Sequence, residues 1–400
     1  MKIAIITNLY HPYTRGGAEK IAKLMAEKLH LKHNVFVITT MPKINKTSYK
    51  GYWENTKVNN KKLRIFRFTP FNLFYYLDDY KHNFFVRMLW HIVDVFNVHS
   101  YFMVKKILME EKPDLIISHN LKGIGYLLIK VFALVEAKHI HVLHDVQYAV
   151  PSGLLMWNKE NSFLANGFLV KAYQNITKKF FLQVNVIISP SQWLLGFYEE
   201  RSFFRKTKKV VLENPIKIVG SLKKREGKKQ YNKLLYVGQI EAHKGLEWFL
   251  RMVKDQKYNI DIVGDGSDFA YLKEKFESDN IVFHGKVANE GLKLFYSEAD
   301  YLVLPSLCYE NSPTVIYEAF SNSLPVIASK IGGVPELIDN YKTGYLFEPE
   351  DKEHLLSVLS VAKDNDEYCE MSKNCHEKVE GFSTERYVKR LYEVIESIGD

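Results

Sequence analysis

Cysteine is scarce in this chain of 400 residues: Cys308, Cys369 and Cys375 make an odd set without C-x-x-C spacing. That excludes a disulfide framework, argues against a zinc site and suits a reducing compartment. Long hydrophobic runs are also missing. The longest uncharged stretch, 180–198, is interrupted by Gln183, Asn185 and Ser189-Pro190-Ser191-Gln192, so it reads as a buried strand and a turn rather than a membrane span. The first eight residues are too short an apolar run for a secretory h-region, and no small-residue cleavage site follows, so no export is expected. Between the first strand and helix there is no G-x-G-x-x-G, which speaks against a nicotinamide dehydrogenase. Asp364-Asn365-Asp366 has the letters of a metal-binding Asp-x-Asp, but it lies in an acidic, helix-like segment with no strand before it, so no metal site is expected.

What is present is an ordinary globular balance, 46% hydrophobic and 25% charged. The length suits two domains. The net charge of +9 is unevenly spread: residues 1–215 hold 31 basic against 15 acidic residues, and residues 216–400 hold 24 against 31. A basic first half can meet nucleic acid, anionic lipid or a phosphorylated acceptor, or simply be a solvated surface. No nucleic-acid motif accompanies the charge, so nucleic acid is not expected as a partner.

The chain opens with an apolar run at 2–8, a loop ending in Gly16-Gly17, and a helical pattern over 18–29. Further strand-like runs stand at 35–39, 63–68, 115–118, 139–143 and 184–189. After a lysine-rich segment, 217–233, read as the interdomain linker, they resume at 234–237, 260–263, 281–283, 301–304 and 325–328. Short apolar strands alternating with helices imply parallel sheets covered on both faces. The expected division is 1–215, 216–380, and a last helix in 381–400 that is free to cross back to the first domain. Residues 40–110 are looser and rich in aromatics. They read as a helical insertion packed on the first domain, or as an amphipathic membrane contact beside Lys81, Arg87, Lys105 and Lys106.

In open parallel sheets ligands bind beyond the carboxyl ends of the strands, so the loops after each run are the informative positions. After 234–237 comes Gly238-Gln239-Ile240-Glu241-Ala242-His243-Lys244-Gly245 and then a helix. A lysine at a helix entrance is unfavourable against the helix dipole unless an anion is present, which points to phosphate; a surface lysine turned away is the alternative. After 301–304 the sequence reaches Glu310-Asn311-Ser312-Pro313-Thr314. Ser312 is the expected N-cap and Pro313 the first helical residue, with Glu310 in the loop and Glu318 inside the helix. The first-turn amides can take a phosphate oxygen. Breaking a sugar–phosphate bond develops negative charge on the diphosphate and oxocarbenium character on the sugar. A lysine with helix-end amides answers the first need, and carboxylates that hold hydroxyls in place answer the second.

These residues resemble the retaining GT-B glycosyltransferases of family 4, the glycosyl transferases group 1, over most of the chain. Glu310 and Glu318 have the family's E-x7-E spacing. Tyr236-Val237-Gly238, Lys244-Gly245, Val263-Gly264-Asp265-Gly266, Ala299-Asp300, Pro305-Ser306, Pro325-Val326-Ile327, Gly332-Gly333-Val334-Pro335-Glu336 and Gly344 follow in family order. The resemblance implies two Rossmann-like domains with parallel sheets facing across a cleft. It implies transfer of a sugar, with retention and without metal or other cofactor, from a nucleotide-diphosphate sugar such as a UDP- or GDP-sugar. By the same resemblance Glu310 contacts the donor sugar, Glu318 the ribose, Lys244 the diphosphate, and Lys286-Val287 the nucleobase. Gly16, Gly17, Gln239, Gly266, Asn311, Ser312, Pro313 and Thr314 complete the donor site. His144, which follows a strand, is similar to the family's cleft histidine and would hydrogen-bond the transferred sugar; a structural histidine is the alternative. Two positions depart from the family: Gln239 stands where arginine is common, and Asn311 to Thr314 replace a glycine-richer loop.

The expected acceptor is a glycan or a lipid-linked sugar, in surface polysaccharide or glycolipid synthesis. The expected place is the cytoplasm or the inner membrane face, with peripheral contact to anionic lipid through the basic half. A nucleotide-sugar epimerase of the same fold and a non-catalytic binding protein are the alternatives.

Overall fold

The computed structural model describes residues 1–218, 227 and 230–398. The linker expected at 217–233 lies mostly outside the described residues.

The first sheet is built from β1 (Lys2–Ile6), β2 (Asn34–Thr40), β3 (Tyr52–Val58), β4 (Lys61–Phe68), β5 (Leu115–Ser118), β6 (Lys138–Val142), β7 (Val186–Ser189) and β8 (Lys208–Val211). Their order is β3-β4-β2-β1-β5-β6-β7-β8, parallel except for the antiparallel β3–β4 pair. The second sheet holds β9 (Lys233–Val237), β10 (Asn259–Val263), β11 (Ile281–Gly285), β12 (Tyr301–Leu304), β13 (Val326–Ser329) and β14 (Gly344–Phe347). It is wholly parallel in the order β11-β10-β9-β12-β13-β14. Both sheets are wound in two directions from a central pair, β1/β5 in the first and β9/β12 in the second. The crevice outside the carboxyl ends of such a pair is where this architecture receives ligands.

Central strands such as β1 and β12 are buried along nearly their whole length, because helices cover both faces of each sheet. Four apolar clusters result, two on each sheet. The last helix, Thr384–Glu396, places Tyr387, Leu391, Val394 and Ile395 in the cluster that contains Ile3, Ile5 and Val35 of the first sheet. Arg390 secures it there by donating to Glu213 at 2.7 Å and to the Val211 carbonyl at 2.6 Å.

The aromatic segment 40–110 is only partly helical, which corrects the expected insertion. Its β3 pairs with β4 through a tight turn at Asn59-Asn60, where both residues have positive φ as a two-residue hairpin demands. Helices Phe84–Val95 and Val98–Glu111 follow. No helix among the described residues is long and apolar enough to cross a membrane.

Candidate active site

Lys244 and Glu310 meet across the second sheet's switch point. Lys244 ends a short 3-10 turn, Ala242–Lys244, in the loop after β9, and Glu310 lies in the loop after β12. The Lys244 ammonium donates to Glu310 Oε1 at 2.6 Å, and the Ser306 hydroxyl donates to the same oxygen at 2.9 Å. Burial opposes the charge on Glu310, yet Lys244 and Ser306 outweigh it and hold the carboxyl below its usual range. Burial likewise opposes the Lys244 charge, and Glu310 more than offsets it, so the ammonium is held above its usual range.

Backbone contacts fix these loops. At Gly332 a Cβ would lie 2.1 Å from the Glu310 carbonyl oxygen, and the Gly333 amide donates to that same oxygen at 2.7 Å. Gly266 follows β10, where a Cβ would lie 2.3 Å from the Ile240 carbonyl oxygen, so the loops after β9 and β10 are pressed together. The Gln239 carbonyl accepts from the Tyr236 hydroxyl at 2.6 Å. Lys286 is exposed just after β11, and Val287 beside it packs against the second sheet's core.

The expected helix cap is corrected. The helix runs Thr314–Ser321 with Pro313 as its N-cap residue, and the Ser312 hydroxyl is engaged with the Tyr317 hydroxyl at 2.6 Å instead of a backbone amide. Glu318 lies in this helix, where its Oε2 accepts from the Tyr296 hydroxyl at 2.9 Å. Its other oxygen is 3.5 Å from the Lys20 ammonium of the first domain.

Other contacts bring the carboxyl edges of the two sheets together. The Gly16-Gly17 loop leads into helix Gly17–His30, and a Cβ on Gly17 would stand 3.1 Å from Thr314 Cγ2. Asn311 donates to the His144 carbonyl at 2.7 Å, and Asn214 to the Ser312 carbonyl at 3.2 Å. Tyr309 stacks on Trp193 at 5.1 Å, and Glu336 accepts from the Gln192 and Trp193 amides at 2.7 and 2.6 Å. The site residues from both halves therefore line one cleft.

His144 follows β6, and its Nε2 is 3.0 Å from His119 Nδ1. Burial pushes its pKa down to about 4, so the ring is neutral near pH 7 and suits hydrogen bonding rather than charge stabilisation. Sequence reasoning missed His119 as its partner. It also missed Arg15, which pairs with Asp79 at 2.8 Å and acts electrostatically on Glu241 and His243 across the cleft. The available signal was its place immediately before Gly16-Gly17. Lys20 and Tyr296, the partners of Glu318, had no local signal at all.

Two doubly wound sheets facing across a cleft that holds these residues define a GT-B architecture. Residues 220–380 match the family described as glycosyl transferases group 1. A protein of Klebsiella pneumoniae, described as an uncharacterized 42.6 kDa protein in the cps region, is 25% identical over 342 residues, covering 84% of this chain and 87% of its own. The Escherichia coli UDP-Gal:alpha-D-GlcNAc-diphosphoundecaprenol alpha-1,3-galactosyltransferase is 33% identical over 136 residues, covering 32% of this chain and 34% of its own. Among solved structures, sucrose-phosphate synthase from Thermosynechococcus elongatus superimposes with a TM-score of 0.75 at 17% identity, covering 99% of this chain and 98% of that one. The second domain thus matches the glycosyl transferases group 1, and the described residues as a whole have the GT-B fold.

Proposed function

We propose that the chain transfers a hexose, with retention and without a metal ion, from a nucleotide-diphosphate sugar to a glycan or lipid-linked acceptor. The observation that carries this reading is the buried pair of Lys244 and Glu310 at 2.6 Å across the switch point. An entering diphosphate competes with Glu310 for the ammonium, and the carboxylate so released turns to the hydroxyls of the donor sugar. The charge that develops on the leaving diphosphate then falls on Lys244 and on the amides of Asn311, Ser312 and Thr314, the kind of donor set worth roughly 3 kcal/mol per well-placed group. Glu318 grips the ribose, Lys286 and Val287 flank the base, and Gly16-Gly17 closes over the phosphates from the first domain. His144, neutral, takes a hydrogen bond from the sugar. The acceptor hydroxyl attacks on the face the diphosphate leaves, and the diphosphate accepts its proton.

The UDP-galactose donor and diphosphoundecaprenol-linked acceptor of the Escherichia coli relative support a UDP-sugar and a lipid-linked acceptor here, in surface polysaccharide or glycolipid synthesis at the inner face of the membrane. A thermal-shift screen against UDP, GDP, ADP and their sugars identifies the donor. With that donor, Glu310→Gln and Lys244→Ala should each lower kcat by about 100-fold or more while the fold is kept. Near-wild-type rates refute the site. A product of inverted anomeric configuration in an NMR time course, or turnover abolished by EDTA, refutes the chemistry.

A further inference from the structure

Helix Phe84–Val95 turns its apolar stripe toward solvent. Phe85, Met88, Leu89, Ile92 and Phe96 follow the spacing of one helical face, and each is at least 40% exposed, with Phe85 at 70%. The inward side carries Trp90 and the buried carboxyl of Asp94. Poor docking is not the cause. Trp90 donates to the Phe74 carbonyl at 2.8 Å and stacks on Phe74 and Tyr76, while Asp94 accepts from the Gly123 amide at 2.8 Å.

The next helix, Val98–Glu111, adds exposed Val98 and Phe102. A second group, Phe163, Leu164, Phe168 and Leu169, opens the segment with helices Phe163–Asn166 and Phe168–Phe180, and all four are more than half exposed. Both groups belong to helices that share one core on the same face of the first sheet, through Val95, Val104 and Phe180. Helix Leu128–Phe132 lies between them, packed on Val98–Glu111, with Lys130 set 5.6 Å over the Phe180 ring. One helix layer therefore bares both groups. A monomer seldom exposes so many large apolar side chains on one layer without a partner.

The charge around it is predominantly basic. No Asp or Glu occurs in residues 80–93, 95–109 or 161–198. Exposed Arg87 accompanies the first group, with Lys81 and Lys106 paired at its margins to Asp78 and Glu110, and exposed Lys130, Lys171 and Lys179 accompany the second. A second copy laid on this face would set lysines against lysines. An anionic bilayer offers the complement, phosphates for the lysines and an acyl boundary for the rings.

We infer that this helix layer docks on an anionic membrane surface, with the Phe85 to Phe96 stripe entering the headgroup boundary. Because Asp94 holds Gly123 in the loop after β5, the docked helix abuts the cleft at the carboxyl edge of the first sheet. The inference needs no donor chemistry, so its failure would leave the proposed reaction standing.

Flotation of the full chain with vesicles tests it. Vesicles with about 30% phosphatidylglycerol in phosphatidylcholine should carry the protein, and pure phosphatidylcholine should carry it at least about tenfold less. Leu89→Glu with Ile92→Glu should cost about tenfold or more on the anionic vesicles, and Leu89→Ser with Ile92→Ser, which adds no charge, should also weaken binding. Circular dichroism should be unchanged, since both positions are exposed. A wild type that ignores both vesicles overturns the inference, as do variants that float as well as the wild type. A dimer in sedimentation that the same substitutions split, without loss of vesicle binding, assigns the face to a second copy and overturns it too.

Discussion

The two domains share one winding rule and differ in what holds their cleft loops and in what they show to solvent. In the second domain, backbone presses on backbone: Gly245, Gly264, Gly266, Gly332 and Gly333 each stand where a Cβ would lie within 2.3 Å of a carbonyl oxygen of a neighbouring loop. In the first domain, side chains bridge the gaps. Asp94 takes the Gly123 amide, the buried Lys122 ammonium donates to the Ser152 carbonyl at 2.8 Å, and the Tyr198 hydroxyl donates to the Asp145 carbonyl at 2.8 Å. Large apolar side chains that are exposed also lie overwhelmingly in the first domain, with Tyr271, Val282, Leu294, Tyr341 and Val361 the examples among described residues of the second. Loops held by glycine contacts leave motifs in the sequence. Loops held by a buried polar network, beside a surface for a large partner, leave mainly composition.

The sharpest way to break this comparison is to place a methyl group in each kind of loop. At Gly264, with φ of +151°, a Cβ would lie 1.8 Å from the Gly238 carbonyl oxygen. Gly264→Ala must therefore move the loop after β9, at a cost of about 3 kcal/mol or more, and the thermal transition of the second domain should fall by several degrees. At Gly16 a Cβ would meet nothing within 4 Å, so Gly16→Ala should leave the transition within about a degree. Equal effects at the two glycines would mean that both loops are held alike.

A smaller effect probes the polar network. Burial pushes the Asp94 carboxyl up to about 7, against the Gly123 amide and Lys122, which favour its charge. The raised value means that the folded state keeps a proton that the unfolded chain releases near pH 4. The stability tied to that proton is complete below the unfolded value and is lost as the pH rises through about 7. Asp94→Asn removes the titration. It should be more stable than wild type at pH 7.5 by on the order of 2 kcal/mol, and no more stable at pH 5. Thermal melts at the two pH values decide it, and an equal shift at both would show that ionisation of Asp94 has no part in the stability.

How much was legible in the sequence follows the same division. Strands at the centre of each sheet stood out because both faces are buried and their residues are continuously apolar, as in β1 and β12. Of the edge strands only β11 was read, at 281–283, and β3, β8 and β14 were not. Tyr52–Val58 and Lys208–Val211 carry polar residues on their open sides and gave no strand signal, and only β4 and its Asn59-Asn60 turn make β3 a strand. Glu310, Glu318 and Lys244 were visible through spacing and loop position. Their partners were invisible, because Ser306 reaches Glu310, and Lys20 and Tyr296 reach Glu318, only once the chain has folded. The aromatics of 84–102 were visible as residues, but whether they faced a core or solvent depended on Trp90 and Asp94 being the docked side.

The smallest effect concerns the seam between the domains. Glu336, from the short helix Val334–Leu337 after β13, accepts from the Gln192 and Trp193 amides at the start of helix Gln192–Glu200, so one domain's carboxylate stabilises the other's helix end. A charge there interacts favourably with the helix dipole as well as with the free amides. Glu336→Gln keeps the shape and one accepting oxygen but gives up the charge, which should cost about 1 kcal/mol. The closed arrangement, with Trp193 stacked on Tyr309, should then yield part of its population to an opened one. Small-angle scattering should show a modest rise in radius of gyration, and each domain should keep its own thermal transition. If the radius stays at the wild-type value, closure is held by the contacts of Trp157 with Leu307 and of Tyr309 with Leu155, which join the backbones of the two halves directly at 2.9 Å. The seam would then follow the second domain's rule of backbone against backbone rather than the first domain's rule of side-chain bridges.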